Sequence, residues 1–120
     1  MIKALLFDLN GTLIDICTSE SDDQVYRATA NFLSYSGVYL APEKLKELYF
    51  ELNHEQRAAS PEKFPEFDIA AIFCDVISRY SRFPLSDAQK SALAHQASVV
   101  FRAASRFRLE LYPDVKKVLD

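Results

Sequence analysis

Between residues 21 and 104 the apolar residues recur at three- and four-residue spacings, in four stretches separated by helix breakers. This period, more than anything else in the chain, limits the folds available to it. Ser21-Asp22-Asp23-Gln24 reads as a capping box. Val25, Thr29, Phe32 and Leu33 then share one helical face, and Gly37 is placed to end that helix. Pro42 suits the first turn of a second helix, whose apolar stripe is Leu45, Leu48, Tyr49 and Leu52. The segment Ser60 to Pro65 holds two prolines and reads as a loop. Ile69, Ile72, Phe73, Val76, Ile77 and Tyr80 make a third stripe, which Pro84 ends. Ser86-Asp87-Ala88-Gln89 is a second capping box, followed by Leu93, Ala97, Val100, Phe101 and Ala104. Four amphipathic helices with short links predict a small helical bundle. There is no internal repeat and no low-complexity tract.

Composition narrows the function classes. The 120 residues are one domain's worth of chain, and 49% are hydrophobic, enough for a core. The formal net charge is −3 and no Lys/Arg cluster interleaves with aromatics, which argues against a nucleic-acid partner. No apolar run approaches the ~18 residues that a membrane span requires. The start, MIKALLFDLN, is too short and too quickly acidic for a signal peptide. Cys17 and Cys74 fit neither a disulfide framework nor a zinc pattern, so reduced thiols in a cytoplasmic protein are expected. His54 and His95 each lie in a polar helical stretch and read as surface residues.

The two ends read differently from the middle. Residues 3–9 begin with the apolar run Ala4 to Phe7, which suits a strand buried on both faces, as in a parallel sheet. Asn10-Gly11 then breaks it, and Thr12-Leu13-Ile14 can start a second strand. Asn-Gly between two apolar runs is also the strongest short-range hairpin signal, so a local β-hairpin is the competing reading. Leu109-Glu110-Leu111-Tyr112 reads as a connector leaving the bundle, and Pro113 as the start of a last short helix carrying Val115, Val118 and Leu119. A parallel strand needs parallel neighbours, and no other segment supplies a convincing one. Both ends therefore read as parts of a larger core. Within the first segment, Asp8 would stand at the C-terminal end of a buried strand, where α/β folds place their ligand sites. Aspartate can act as a covalent nucleophile. Gly11 permits a sharp turn beside it, and Thr12 offers a hydroxyl.

FDLNGTLID, residues 7–15, resembles the first motif of the haloacid dehalogenase-like (HAD) hydrolase superfamily, whose usual form is Asp-x-Asp-Gly-Thr-hydrophobic. The helical insert that follows resembles that family's class 1 cap, and LELYPDVKKVLD resembles the segment returning from cap to core. The resemblance implies an α/β fold, a HAD-like Rossmannoid core of which this mostly α chain holds only the first strand and the return helix, with an α-helical bundle cap. The implied division is 1–16 for the first core strand and motif, 17–108 for the cap and 109–120 for the return. It implies a Mg²⁺-dependent hydrolase, a phosphatase of a small phosphorylated metabolite working through an aspartyl-phosphate. Asp8 is then the nucleophile and a Mg²⁺ ligand. Asn10 is a second metal ligand through its main-chain carbonyl, and Gly11 and Thr12 shape and contact the phosphoryl site. Asp15 needs no role. Arg57, Lys63, Arg79 and Arg82 are candidate cations for a phosphate or substrate, but a solvated surface charge is the commoner fate of such residues, and none is assigned to the site.

Asn10 departs from the family pattern. Its phosphatases carry Asp there, which protonates the leaving group and later deprotonates water. An amide does neither near neutral pH, at a typical loss of ~10²–10⁴-fold in rate. Four readings stay open: a leaving group that needs no proton, an introduced substitution, a degenerate site that only binds, or deamidation of Asn10-Gly11 restoring a carboxylate. The family's Ser/Thr, Lys and further acids lie on later strands with no counterpart in these residues. The hydrolase would thus be the parent protein, with the 120-residue chain alone a poor enzyme or none. The reading from a different class is a non-catalytic helical module that binds a partner, a second copy of itself or the remainder of the core.

Overall fold

The computed structural model describes residues 1–120 and contains five helices and a two-stranded antiparallel sheet. The chain divides into two compact units, one made of residues 21–104, the other of residues 1–20 and 105–120. No helix is long and apolar enough to cross a membrane.

The unit of residues 21–104 holds α1 (Asp23–Ser34), α2 (Pro42–Ala59), α3 (Ile69–Tyr80) and most of α4 (Asp87–Ser105). The four expected stripes form four helices. Each helix starts where local chemistry satisfies its free N–H groups. At α1 the cap is Asp22, whose Oδ1 accepts from the Gln24 N–H at 2.9 Å, one residue later than the Ser21 box predicts. The second box forms as expected. Ser86 Oγ accepts from the Gln89 N–H at 3.2 Å, and Gln89 Oε1 accepts from the Ser86 N–H at 2.9 Å. Asp68 caps α3 through the Ala71 N–H at 3.1 Å, a start that the apolar stripe alone does not reveal.

Gly37 closes α1 in two ways. The Val38 N–H donates to Leu33 O at 3.2 Å and the Gly37 N–H to Ser34 O at 3.1 Å, the bond pair of a Schellman motif, with Gly37 at φ +81°. The Phe83 ring also lies over Gly37, so that a Cβ there would come within 2.6 Å of it. Val38 is fully buried and pairs with Ser81, joining the α1–α2 turn to the α3–α4 turn.

The core joins all four helices through aromatic rings. Phe101 of α4 lies 4.6 Å from Tyr49 of α2, 5.6 Å from Tyr26 of α1 and 5.7 Å from Phe73 of α3, measured between ring centroids. All four side chains are buried to at least 99%. Tyr26 lies outside the predicted stripe of α1, whereas Phe32 of that stripe is only partly buried. A surface clip fastens α2 to α1. The Lys46 ammonium donates to Asp23 Oδ1 at 2.7 Å and to Ser21 O at 2.6 Å.

In the unit of residues 1–20 and 105–120, β1 (Ile14–Thr18) pairs antiparallel with β2 (Arg106–Leu111), with an irregularity between Cys17 and Thr18. Ile14 faces Leu111 and Ile16 faces Leu109 on one side of this ribbon, while Asp15, Cys17, Arg108 and Glu110 lie on the other. The short α5 (Val115–Leu119) follows, with Val115 buried.

Two expectations are corrected here. The run Ala4 to Phe7 forms no strand, and Leu5, Leu6 and Phe7 are exposed. A strand there would need parallel partners, and the two strands present pair with each other. No Rossmannoid core is therefore present, and the fold is that of a mostly helical chain. The hairpin reading of Asn10-Gly11 fails as well, because the turn forms but does not pair residues 3–9 with β1; β1 pairs with β2 instead.

Two outcomes follow from this packing. Phe101→Ala should lower unfolding stability by about 3–5 kcal/mol in urea titrations, since it empties the centre of the ring cluster. Val99→Ala, exposed on the same helix, should stay within about 0.5 kcal/mol. The hydrogen bond from Lys46 and its charge hold the Asp23 carboxyl below its ordinary value of 3.8. A lowered folded pKa means that the unfolded chain binds the proton more readily, so this stabilisation is complete above the ordinary value and is lost as pH falls through the folded one. Asp23→Asn should accordingly show a shallower loss of stability on acidification below about pH 5 than the wild-type chain.

Candidate functional site

The loop at residues 8–14 is built around one carbonyl. Leu9 O accepts from the Ile14 N–H at 2.9 Å, the Leu13 N–H at 3.0 Å and the Thr12 N–H at 3.4 Å. The Gly11 N–H donates back to Ile14 O at 2.8 Å. Gly11 sits at φ +77°, and nothing lies within 4 Å of where a Cβ would stand, so its backbone conformation and not space calls for glycine. The Tyr112 N–H donates to Leu13 O at 3.2 Å and ties the end of β2 to this loop.

The turn brings Thr12 back to Asp8. Thr12 Oγ1 donates to Asp8 Oδ2 at 3.4 Å, and both residues are exposed. Asn10 is exposed and bridges to Ile14 through the backbone. The four residues singled out in the sequence, Asp8, Asn10, Gly11 and Thr12, thus belong to one solvent-facing turn. The Asp8 carboxylate and the Asn10 main-chain carbonyl are hard oxygen donors and suit Mg²⁺ in kind. No group of three or more His, Cys, Asp and Glu side chains that could hold a metal ion converges there. Mg²⁺ commonly keeps several waters, so two protein oxygens are a minimal set.

Next to the loop, the polar face of the ribbon carries a cluster that the sequence does not announce. Arg108 Nη2 donates to Cys17 Sγ at 2.8 Å, and Arg108 Nε lies 3.1 Å from Asp15 Oδ2. The Cys17 contact and then the Asp15 charge hold the Arg108 guanidinium above its ordinary pKa. The partners are about ninety positions apart in the chain. Only the strand register reveals them: Cys17 faces Arg108, and Asp15 lies diagonally across. Asp15 therefore has a structural partner. Cys17 and Cys74 are free thiols.

The four candidate cations are each engaged within residues 21–104. Arg79 pairs with Asp75 at 2.7 Å. Arg82 lies over the Tyr39 ring at 4.3 Å, Arg57 over Phe67 at 4.9 Å and Lys63 over Phe64 at 5.4 Å. Neither a protein-family model, nor a curated protein, nor a solved structure matches the chain.

The turn's reliance on glycine can be tested directly. Gly11→Val should strain the loop by roughly 1–2 kcal/mol, because a β-branched residue is forced to positive φ. Amide hydrogen exchange at Leu13 and Ile14 should then speed up about tenfold, while amides in α2 keep their protection.

Proposed function

We propose that this chain carries the nucleophile loop of a Mg²⁺-dependent HAD-type hydrolase acting on small phosphorylated metabolites. The observation that supports this most is the exposed Asp8 carboxylate, held by the Thr12 hydroxyl across a turn that Gly11 makes possible. Asp8 and the Asn10 carbonyl would hold Mg²⁺, which when bound neutralises charge on the phosphate oxygens. An Asp8 carboxylate oxygen attacks phosphorus, the bond to the leaving oxygen breaks, and that oxygen departs with the electron pair. Water then attacks the aspartyl-phosphate at phosphorus, releasing phosphate and regenerating the carboxylate. Thr12 steadies the carboxylate and stands beside the incoming phosphoryl group. The Asn10 side chain has no proton to give, so the reading favours leaving groups that depart as stable anions, such as acyl phosphates or aryl phosphates.

A second reading, a partner-binding or self-associating module without catalysis, draws on the exposed apolar residues Ile2, Leu5, Leu6 and Leu9. One assay separates the two. Under the hydrolase reading p-nitrophenyl phosphate is cleaved slowly, only with Mg²⁺, and not by Asp8→Asn. Asn10→Asp should raise the rate on an alkyl phosphate by about 10²–10⁴-fold. No Mg²⁺-dependent release, or equal release by Asp8→Asn, would remove the hydrolase reading. Self-association in sedimentation that Leu6→Lys abolishes would then mark the module.

A further inference from the structure

A cleft within residues 21–104, with a volume of ≈ 370 Å³, is lined by Arg57, Pro65, Glu66, Phe67 and Arg102. That size is within the usual range for small-molecule sites. Its construction differs from that of an ordinary charged surface. Phe67 is partly buried against the core and meets the Tyr49 ring edge-on at 6.4 Å. Arg57 is seated on the other partner of this arrangement, its guanidinium 4.9 Å from the centroid of the Phe67 ring. The contacts from Tyr49 to Phe67 and from Phe67 to Arg57 place a guanidinium beside the cleft before any ligand arrives, which reduces what binding must order. Arg102, in the last turn of α4, brings a second positive charge to the same cleft.

Each arginine also stands in the last turn of its helix, where a cation offsets the partial negative charge of the carbonyl ends. That role explains one arginine per helix end. It does not require Arg57 to lie over a ring in a cleft walled by a proline. Glu66 removes one unit of charge from the cleft and supplies an acceptor for a hydroxyl or amine.

We propose that this cleft binds a small organic oxyanion, a phosphate or carboxylate carried on a flat apolar group, with Arg57 as its principal anchor. The anion would meet the guanidinium edge of Arg57, and the apolar part would lie along Pro65 and Phe67. This site shares no residue with the Asp8 loop, so it stands whether or not the chain hydrolyses anything.

The test uses the full chain in EDTA, which keeps Mg²⁺ out of the measurement. Titration calorimetry would compare phenyl phosphate, inorganic phosphate and benzoate. The expected result is one equivalent of phenyl phosphate bound, at least about tenfold more weakly by Arg57→Gln and unchanged by Val99→Ala, an exposed change with no role in either site. Benzoate binding as tightly as phenyl phosphate would assign the site to carboxylates as well, and weaker benzoate binding to phosphates. Amide shift mapping on the wild-type chain should place the perturbations at Arg57, Phe67 and Arg102, a result that does not depend on any variant folding. No binding of any probe at millimolar concentration, binding indifferent to Arg57→Gln, or shifts confined elsewhere would overturn the proposal.

Discussion

Phe101 is the residue on which the helical unit depends. Its ring touches those of Tyr26, Tyr49 and Phe73, one from each of the other three helices. Helix pairs in a small bundle bury limited area, and a shared aromatic centre lets one side chain serve three interfaces at once. The contacts with Tyr26 and Phe73 are edge-to-face and prefer particular angles, so the cluster selects helix placements as well as favouring burial. Its influence reaches the surface. Tyr49 meets Phe67, and Phe67 meets Arg57, so a chain of contacts runs from the middle of the core to an exposed guanidinium.

What was legible in the sequence was whatever depends on near neighbours. Leu45, Leu48, Tyr49 and Leu52 repeat with helical period and are all buried on α2. Ser86 and Gln89 lie three residues apart and cap each other. Gly37 ends its helix through bonds to residues just before it. Tyr26 was less legible, because the stripe drawn through Val25 and Thr29 ran to Phe32, while the buried face ran through Tyr26 and Ala30. The apolar run at Ala4 to Phe7 misled for a different reason. Composition favours a strand there, but a strand exists only where another segment accepts its hydrogen bonds, and that depends on the whole fold.

The candidate site shows the same division. The turn at Asn10-Gly11 and the return of Thr12 to Asp8 involve contacts spanning five residues or fewer. The Arg108 contacts to Cys17 and Asp15 depend on a strand register that nothing local encodes. The Arg57 cleft combines the ends of two helices with a connecting segment, so its residues are unremarkable in sequence and meaningful only together.

The ribbon has a mechanical consequence. Ser19 and Ser105 are joined by a hydrogen bond of 2.8 Å, so the whole excursion through the four helices starts and finishes at one place. Tension applied at residues 1 and 120 would reach the Ile14–Leu111 end of the ribbon first and peel its bonds one pair at a time toward Thr18 and Arg106. Under such a load the ribbon opens as a zip, pair by pair, before residues 19 and 105 can be drawn apart.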